Sequence, residues 1–185
     1  MDSIINILTE LKGGELALIG SRPSVGKTFF AINILKNIIV NQNKSACFFS
    51  LEMSKIFLEK RFSEINFNIN NNLLHIIDKP NQTITEIKEI IKSKPSVNIF
   101  FIDYLGLIAN DEKQNIEEIV RELKSFALEM DVVIIALMQI SREQNNLKPE
   151  IQQFTPFDNY ADLIIGLYKN TEIVNNKIEN IILKK

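Results

Sequence analysis

Residues 20–28 read Gly20-Ser21-Arg22-Pro23-Ser24-Val25-Gly26-Lys27-Thr28, and this stretch decides how the chain is interpreted. A short apolar run, 16–19, precedes it, and apolar residues at helical spacing follow it over 27–40. The sequence therefore predicts a buried strand, a tight turn and a helix in direct succession. A turn in that position can wrap a phosphate chain with its backbone N–H groups, at the positive end of the helix dipole. We therefore predict a loop that binds the phosphates of a nucleotide.

The residue types in this loop suit that chemistry. Gly26 lets the backbone approach the phosphates, Lys27 would neutralise the β and γ oxygens, and the Thr28 hydroxyl would hold Mg²⁺. The usual G-x-x-x-x-G-K-[ST] pattern places its first glycine at position 21, where this chain has Ser21, and the glycine is one place earlier at Gly20. An ordinary Gly/Ser turn is the alternative, which the flanking strand and helix disfavour. The candidate nucleotide contacts are Ser21, Arg22, Pro23, Ser24, Val25, Gly26, Lys27 and Thr28.

Three polar residues end predicted strands, where ligands bind in parallel sheets. Asp103 follows the apolar run 99–102 and is a candidate Mg²⁺-side carboxylate with Thr28; its alternative role is to cap a turn. Glu52 follows the strand 46–50 and could accept a proton from an attacking water, or could be an acid in the first turn of a helix. Gln139 follows the strand 132–137 and could sense the γ-phosphate, or be an ordinary polar strand end.

The pattern along the chain predicts one α/β domain over 1–185. Apolar runs alternate with amphipathic stretches, which favours a mostly parallel central sheet with helices on both faces. Thr83 with Glu86 and the residue Asn115 are predicted helix caps. Residues 163–168 and 177–183 predict a C-terminal hairpin that turns at Asn175-Asn176. The polar segment 144–159, with two prolines, predicts a flexible surface loop.

Composition excludes several classes of protein. The 185 residues carry 21 Lys+Arg against 23 Asp+Glu, a net charge of −2, so a strongly basic nucleic-acid-binding surface is excluded. One cysteine, Cys47, and one histidine, His75, exclude a disulfide framework and disfavour a zinc site. No apolar run approaches a membrane span of about 20 residues, and the N-terminus has no basic leader. We expect a soluble, cytoplasmic protein with no membrane partner.

Several motifs, in order along nearly the whole chain, resemble those of one family, the DnaB-type replicative DNA helicases. The matched pairs, this chain first, are SRPSVGKT (21–28) with ARPSMGKT, FSLEMS (49–54) with FSLEMS, IDYLGLI (102–108) with IDYLQLI, EIVRELK (118–124) with EISRELK, IALMQISR (135–142) with IALSQLNR, and ADLIIGLY (161–168) with ADVVLFLY. The chain is thus identified as a truncated or minimal member covering the C-terminal ATPase domain.

The resemblance implies a RecA-like P-loop fold, Mg²⁺-dependent ATP hydrolysis and a hexameric ring that translocates on single-stranded DNA. By that resemblance Glu52 is the catalytic carboxylate, assisted by Lys27, Asp103 is the metal-side carboxylate and Gln139 is the sensor. The last strand resembles EVIIAKNR, so Lys184 matches the lysine of a trans-acting pair. The finger arginine of that pair has no counterpart, and it is worth roughly 10³ to 10⁵ in rate.

The sequence departs from the family in other places. The family's N-terminal helical domain is not represented, and the DNA-loop region is rewritten as residues 151–160. Arg142 and Lys148, with Lys113 as a third, are the cations we expect to meet DNA, so an isolated subunit should bind single strands weakly. If it binds tightly as a monomer, the first aromatic stacking residues to test are Phe154, Phe157 and Tyr160.

Three hypotheses follow from the sequence. The first is an ATPase with helicase-type activity, acting as a homo-hexamer. The second is an ATP-binding assembly or regulatory module with little hydrolysis of its own, which could co-assemble with a full-length helicase. The third, a small-molecule kinase, is weaker because the sequence has no arginine-rich lid and such chemistry does not need Glu52.

Overall fold

The computed structural model describes residues 2–67, 72–109, 115–140, 148–169 and 178–184. In chain order the elements are α1 (Asp2–Thr9), β1 (Leu16–Ser21), α2 (Lys27–Lys36), a π-helical turn (Asn37–Asn41), β2 (Ala46–Ser50), α3 (Lys55–Glu64), β3 (Leu74–Ile77), α4 (Ile84–Lys92), β4 (Ile99–Asp103), a 3₁₀ turn (Leu105–Leu107), α5 (Ile116–Met130), β5 (Val133–Gln139), a second 3₁₀ turn (Ile151–Phe154), β6 (Leu163–Lys169) and β7 (Ile178–Lys184).

The strands form one seven-stranded sheet in the order β3-β2-β4-β5-β1-β6-β7. All neighbouring pairs are parallel except the antiparallel pair β6–β7. The predicted parallel sheet and C-terminal hairpin are therefore confirmed, and the strand 132–137, the most hydrophobic one, is central as β5. The register pairs Ser21 with Gln139 and Ser50 with Asp103, so the carboxyl ends of four strands meet at one edge.

Helices cover both faces of this sheet, because successive strand residues point to opposite sides. On one face the core combines Ala17 and Ile19 of β1 with buried residues of α1, α2 and α3. On the other, Leu16 and Leu18 pack with residues of α4 and α5. The two predicted helix starts, at Thr83 and Asn115, are confirmed as complete capping boxes with the glutamate three residues on. None of the described helices is both long and apolar enough to cross a membrane.

The prediction of a flexible surface loop over 144–159 is wrong for its described part. Residues 151–154 form a 3₁₀ turn, and the side chains of Phe154 and Phe157 are buried in the core. Phe154 packs so closely on β1 that a Cβ atom at Gly20 would lie 2.4 Å from its ring. Gly20 is thus a packing glycine beneath the phosphate loop. Burial also removes Phe154 and Phe157 as stacking surfaces for DNA, leaving Tyr160 partly exposed.

Candidate nucleotide-binding site

The loop between β1 and α2 contains two residues with positive φ, and both lie in the turn that precedes the helix. Ser24 has φ 62° and Gly26, the N-cap of α2, has φ 112°. The first backbone bond of the helix is donated by the Phe30 N–H to the Gly26 carbonyl. The N–H groups of the preceding turn have no intrahelical acceptor, and Gly26 has no side chain to cap them. The helix N-terminus is therefore open to an anion.

Thr28 and Asp103 join the loop to the end of β4. The Thr28 hydroxyl donates a hydrogen bond of 2.7 Å to Asp103 Oδ2. Asp103 is fully buried, and its second oxygen, Oδ1, has no hydrogen-bond partner. Burial raises the pKa of this carboxyl from 3.8 to about 6, with the Thr28 hydrogen bond acting in the opposite direction. A buried carboxylate oxygen without a partner, beside a hydroxyl, is a donor set suited to a hard divalent cation.

Lys27 is the one buried cation among the described residues, with 9% of its surface exposed. Burial lowers its pKa, and the negative charges of Asp103 and Glu52 oppose that shift. Its ammonium group lies 5.5 Å from the centre of the Tyr104 ring. A desolvated ammonium flanked by carboxylates and facing a cavity is placed to bind anionic oxygens.

A cavity of about 470 Å³ opens over this arrangement, within the size range of ligand sites. It is lined by Pro23, Ser24, Gly26, Lys27, Thr28, Phe29, Glu52, Met53, Arg61 and Gln139. The structure therefore brings together five of the eight candidate loop residues, the exposed Glu52 beyond β2 and the exposed Gln139 at the end of β5. These residues, together with the buried Asp103 that accepts the Thr28 hydrogen bond, fit Mg²⁺ and a triphosphate: open helix N–H groups, a cation, a hydroxyl and carboxylate oxygens.

Comparison with known proteins identifies the family. The family model described as the DnaB-like helicase C-terminal domain matches residues 1–75 and 60–185. The chain belongs to this family. It is 30% identical to the replicative DNA helicase DnaC of Bacillus subtilis over 92% of its length, and it spans 47% of that relative.

Two solved structures have the same fold as this DnaB-like domain. One, described as an ATPase domain, matches with a TM-score of 0.78 and 25% identity, covering 94% of this chain and 78% of that one. A DnaB-like replicative helicase, described together with its interactions with primase, matches with a TM-score of 0.80 and 27% identity. That match covers 94% of this chain and 54% of the other. The family assignment and the RecA-like fold that the sequence predicts are confirmed.

Other predicted residues of the DnaB-like domain lie outside the cavity lining. Ser21 is buried, and its hydroxyl donates to the Arg22 carbonyl. Val25 packs on the core, and Lys148 lies 5.8 Å from the centre of the Tyr168 ring. Arg142, Lys113 and the predicted turn at Asn175-Asn176 lie outside the described residues.

Lys184 lies at the sheet edge opposite the phosphate loop. It pairs with Ile164 at the start of β6, whereas Ile178, at the other end of β7, lies near Gly26. The Lys184 ammonium donates a hydrogen bond to the backbone carbonyl of Asp158. The proposed trans-acting lysine thus has a partner within its own chain.

Three cavity residues were not predicted as functional: Phe29, Met53 and Arg61. Arg61, on α3, pairs with Glu64 at 3.2 Å while it lines the cavity. No local motif marks an arginine two turns into a helix, and only the packing of α3 against α2 brings it here. Phe29 had a usable signal, because it is an aromatic residue directly after Thr28.

Proposed function

We propose that residues 1–185 act as a single motor domain that binds and hydrolyses Mg-ATP and couples hydrolysis to translocation on single-stranded DNA during replication in the cytoplasm. The observation that supports this most is that Lys27, Thr28 and Glu52 line one cavity at the carboxyl edge of the sheet, where Thr28 is hydrogen-bonded to the buried Asp103. Family membership supports the replicative role, since the Bacillus subtilis relative is a replicative DNA helicase.

Each residue has a role set by its position. The open N-terminus of α2 and the Lys27 ammonium hold the phosphate oxygens. Thr28 and Asp103 would hold Mg²⁺, which when bound neutralises charge on the β and γ oxygens. Glu52 accepts the proton of the attacking water, and its exposure in the cavity gives water access to it. Gln139 donates its amide N–H to the γ-phosphate and reports the loss of that group.

The proposed partners are ATP, single-stranded DNA and further subunits in a homo-hexamer. A ring multiplies the few cations that each subunit can offer to one strand, so we expect tight DNA binding only where rings form. Lys148 is the one proposed DNA contact within the described residues, and it is exposed.

A second candidate is an ATP-binding assembly or regulatory module with little hydrolysis, which would co-assemble with a complete helicase. One observation favours it: the Lys184 ammonium donates to the Asp158 carbonyl of its own chain. A lysine held in this way must leave that partner before it can act on a neighbouring subunit's nucleotide.

ATP hydrolysis by the parent protein separates the two candidates, and a Glu52→Gln variant tests the role of Glu52. The motor predicts ATP turnover in the parent that increases with a single-stranded oligonucleotide and falls about 10²- to 10⁴-fold in the variant, with ATP affinity retained. Glu59→Gln is the matched control, because Glu59 is an exposed acid on α3 outside the cavity.

Light scattering on the same samples shows whether turnover accompanies ring formation. ATP binding with negligible turnover in the parent, with and without DNA, would favour the module. Unchanged turnover in Glu52→Gln would show that another group is the base.

A further inference from the structure

Phe29 is the single aromatic side chain among the residues that line the cavity. It is 36% exposed, and it is the one exposed large hydrophobic residue of the described chain that belongs to this lining. An exposed apolar ring costs free energy when it meets water alone. The other side chains of the lining are largely polar or charged. A ligand with an apolar face would therefore bind favourably against the Phe29 ring.

The first turn of α2 gives each side chain a separate direction, because successive residues turn by about 100°. The Thr28 side chain bonds to Asp103, and the Lys27 ammonium lies over the neighbouring Tyr104. Phe30 is fully buried in the core. Phe29 is the residue of this turn that faces the cavity without contributing charge or a hydrogen-bonding side chain.

The backbone position of Phe29 indicates which part of a ligand its ring would contact. Its N–H precedes the first intrahelical bond, so it belongs to the group of donors open to phosphate. A ligand whose phosphates bind these N–H groups, and whose remaining part stays in the cavity, finds Phe29 as the one aromatic side chain in the lining. In a nucleotide, that remaining part is the nucleoside, whose base has two apolar π-faces.

We infer that Phe29 is the base-stacking residue of this site, holding the nucleoside by its ring face and favouring purines over pyrimidines through their larger face. The inference rests on the proposed function and deepens it, because it identifies what binds the non-phosphate part of the ligand. Stacking on a ring involves the face of the base and forms no hydrogen bonds with its edge. Phe29 therefore increases affinity with little discrimination between ATP and GTP.

Titration calorimetry with two probes, Mg-ATP and inorganic tripolyphosphate, tests this directly. Phe29→Ala should weaken ATP binding about five- to thirtyfold and leave tripolyphosphate binding unchanged within about twofold. Phe29→Tyr, which keeps the ring face, should restore ATP binding, whereas Phe29→Leu, which keeps only apolar volume, should not. Phe57→Ala is the matched control, since Phe57 is 60% exposed on α3 and does not line the cavity.

Fluorescence gives a second measurement, because the sequence contains no tryptophan. Phe29→Trp creates a single reporter whose emission should be quenched by ATP and GTP but not by tripolyphosphate. Phe57→Trp should respond to none of the three.

Two results would overturn the inference while leaving the phosphate site intact: equal losses for both probes in Phe29→Ala, or no loss for either. An equal loss would mean that the ring only supports the loop. A parent protein that binds neither probe would overturn the proposed function, and this inference with it. Circular dichroism verifies the fold of each variant, and Phe29→Leu replaces Phe29→Ala in the comparison if the alanine variant unfolds.

Discussion

Asp103 is a buried carboxyl group whose ionisation lowers the stability of the fold, and we propose that it binds Mg²⁺. Its pKa is raised from 3.8 to about 6, so the folded protein holds this proton over a pH range in which the unfolded chain releases it. Stability therefore falls as pH rises from about 4 to about 6, by an amount on the order of 3 kcal/mol at neutral pH. We expect Asp103→Asn, which can still accept the Thr28 hydrogen bond, to be more stable than the parent at pH 7 and to weaken Mg²⁺-dependent ATP binding.

Urea unfolding of the two proteins at pH 4 and pH 7 measures this difference. The gain in the variant should be largest at pH 7 and shrink toward pH 4. Asp131→Asn is the control, because Asp131 is an exposed helix C-cap whose left-handed backbone asparagine also adopts. A stability gain in Asp103→Asn that is the same at both pH values would contradict the assignment to a buried ionised carboxylate.

Gln82 is a second residue at which burial and polarity conflict. It is fully buried just before α4, and neither its amide nitrogen nor its amide oxygen has a hydrogen-bond partner. An unsatisfied buried amide costs about 1–3 kcal/mol, so Gln82→Leu should increase the free energy of unfolding by about that amount. Thermal unfolding tests this beside Gln152→Leu, whose exposed side chain should give a change near zero. A destabilised Gln82→Leu would mean that the amide makes a contact of its own.

An ionic cluster links helix α5 to the amino ends of β1 and β6, at the edge of the sheet opposite the cavity. The Lys124 ammonium donates to the Gly14 carbonyl at 2.7 Å and to both Asp162 oxygens at 3.0 and 2.8 Å. Asp162 Oδ2 also accepts the Leu16 N–H at 2.7 Å. This cluster ties together α5 and the starts of β1 and β6.

Removing the Lys124 ammonium group should lower the free energy of unfolding. We expect Lys124→Met to cost about 1–3 kcal/mol of stability, because it leaves a half-buried carboxylate without its cation. Lys92→Met, which removes an exposed pair on α4 and α5 with a separation of 3.8 Å, should change stability by less than about 1 kcal/mol. Denaturant unfolding compares the two, and equal effects would show that the cluster is only a surface pair.

These elements show that motifs can be found from the sequence, whereas the long-range contacts between them cannot. Lys124 and Asp162 lie in two separate motifs that matched the family, yet only the folded chain shows that they bind each other across 38 residues. The segment around Phe154 reads as a loop because it is polar and contains prolines. Its burial depends on the missing side chain at Gly20, a long-range fit that local composition does not encode.

At the scale of the whole molecule, the parallel sheet explains why several candidate site residues, chosen from the sequence, lie close together. Each candidate at a strand end had to meet the others, because parallel strands place their carboxyl ends at one edge. Strand order and the cavity wall from α3 depend on how the crossovers pack, so Arg61 and Met53 were missed. Helix α1 was missed because eight residues give too short a periodic pattern, although Ile4, Ile5 and Leu8 are buried.

We propose that the loop 20–28 binds the phosphates of Mg-ATP, and calorimetric titration of the parent and of Lys27→Ala measures this binding. The variant loses the buried cation that faces the cavity, so ATP affinity should fall on the order of 10²-fold or more. Lys92→Ala, an exposed cation outside the cavity lining, should bind ATP like the parent. Equal ATP affinity in Lys27→Ala and the parent, with both proteins folded, would show that the loop does not bind the phosphates.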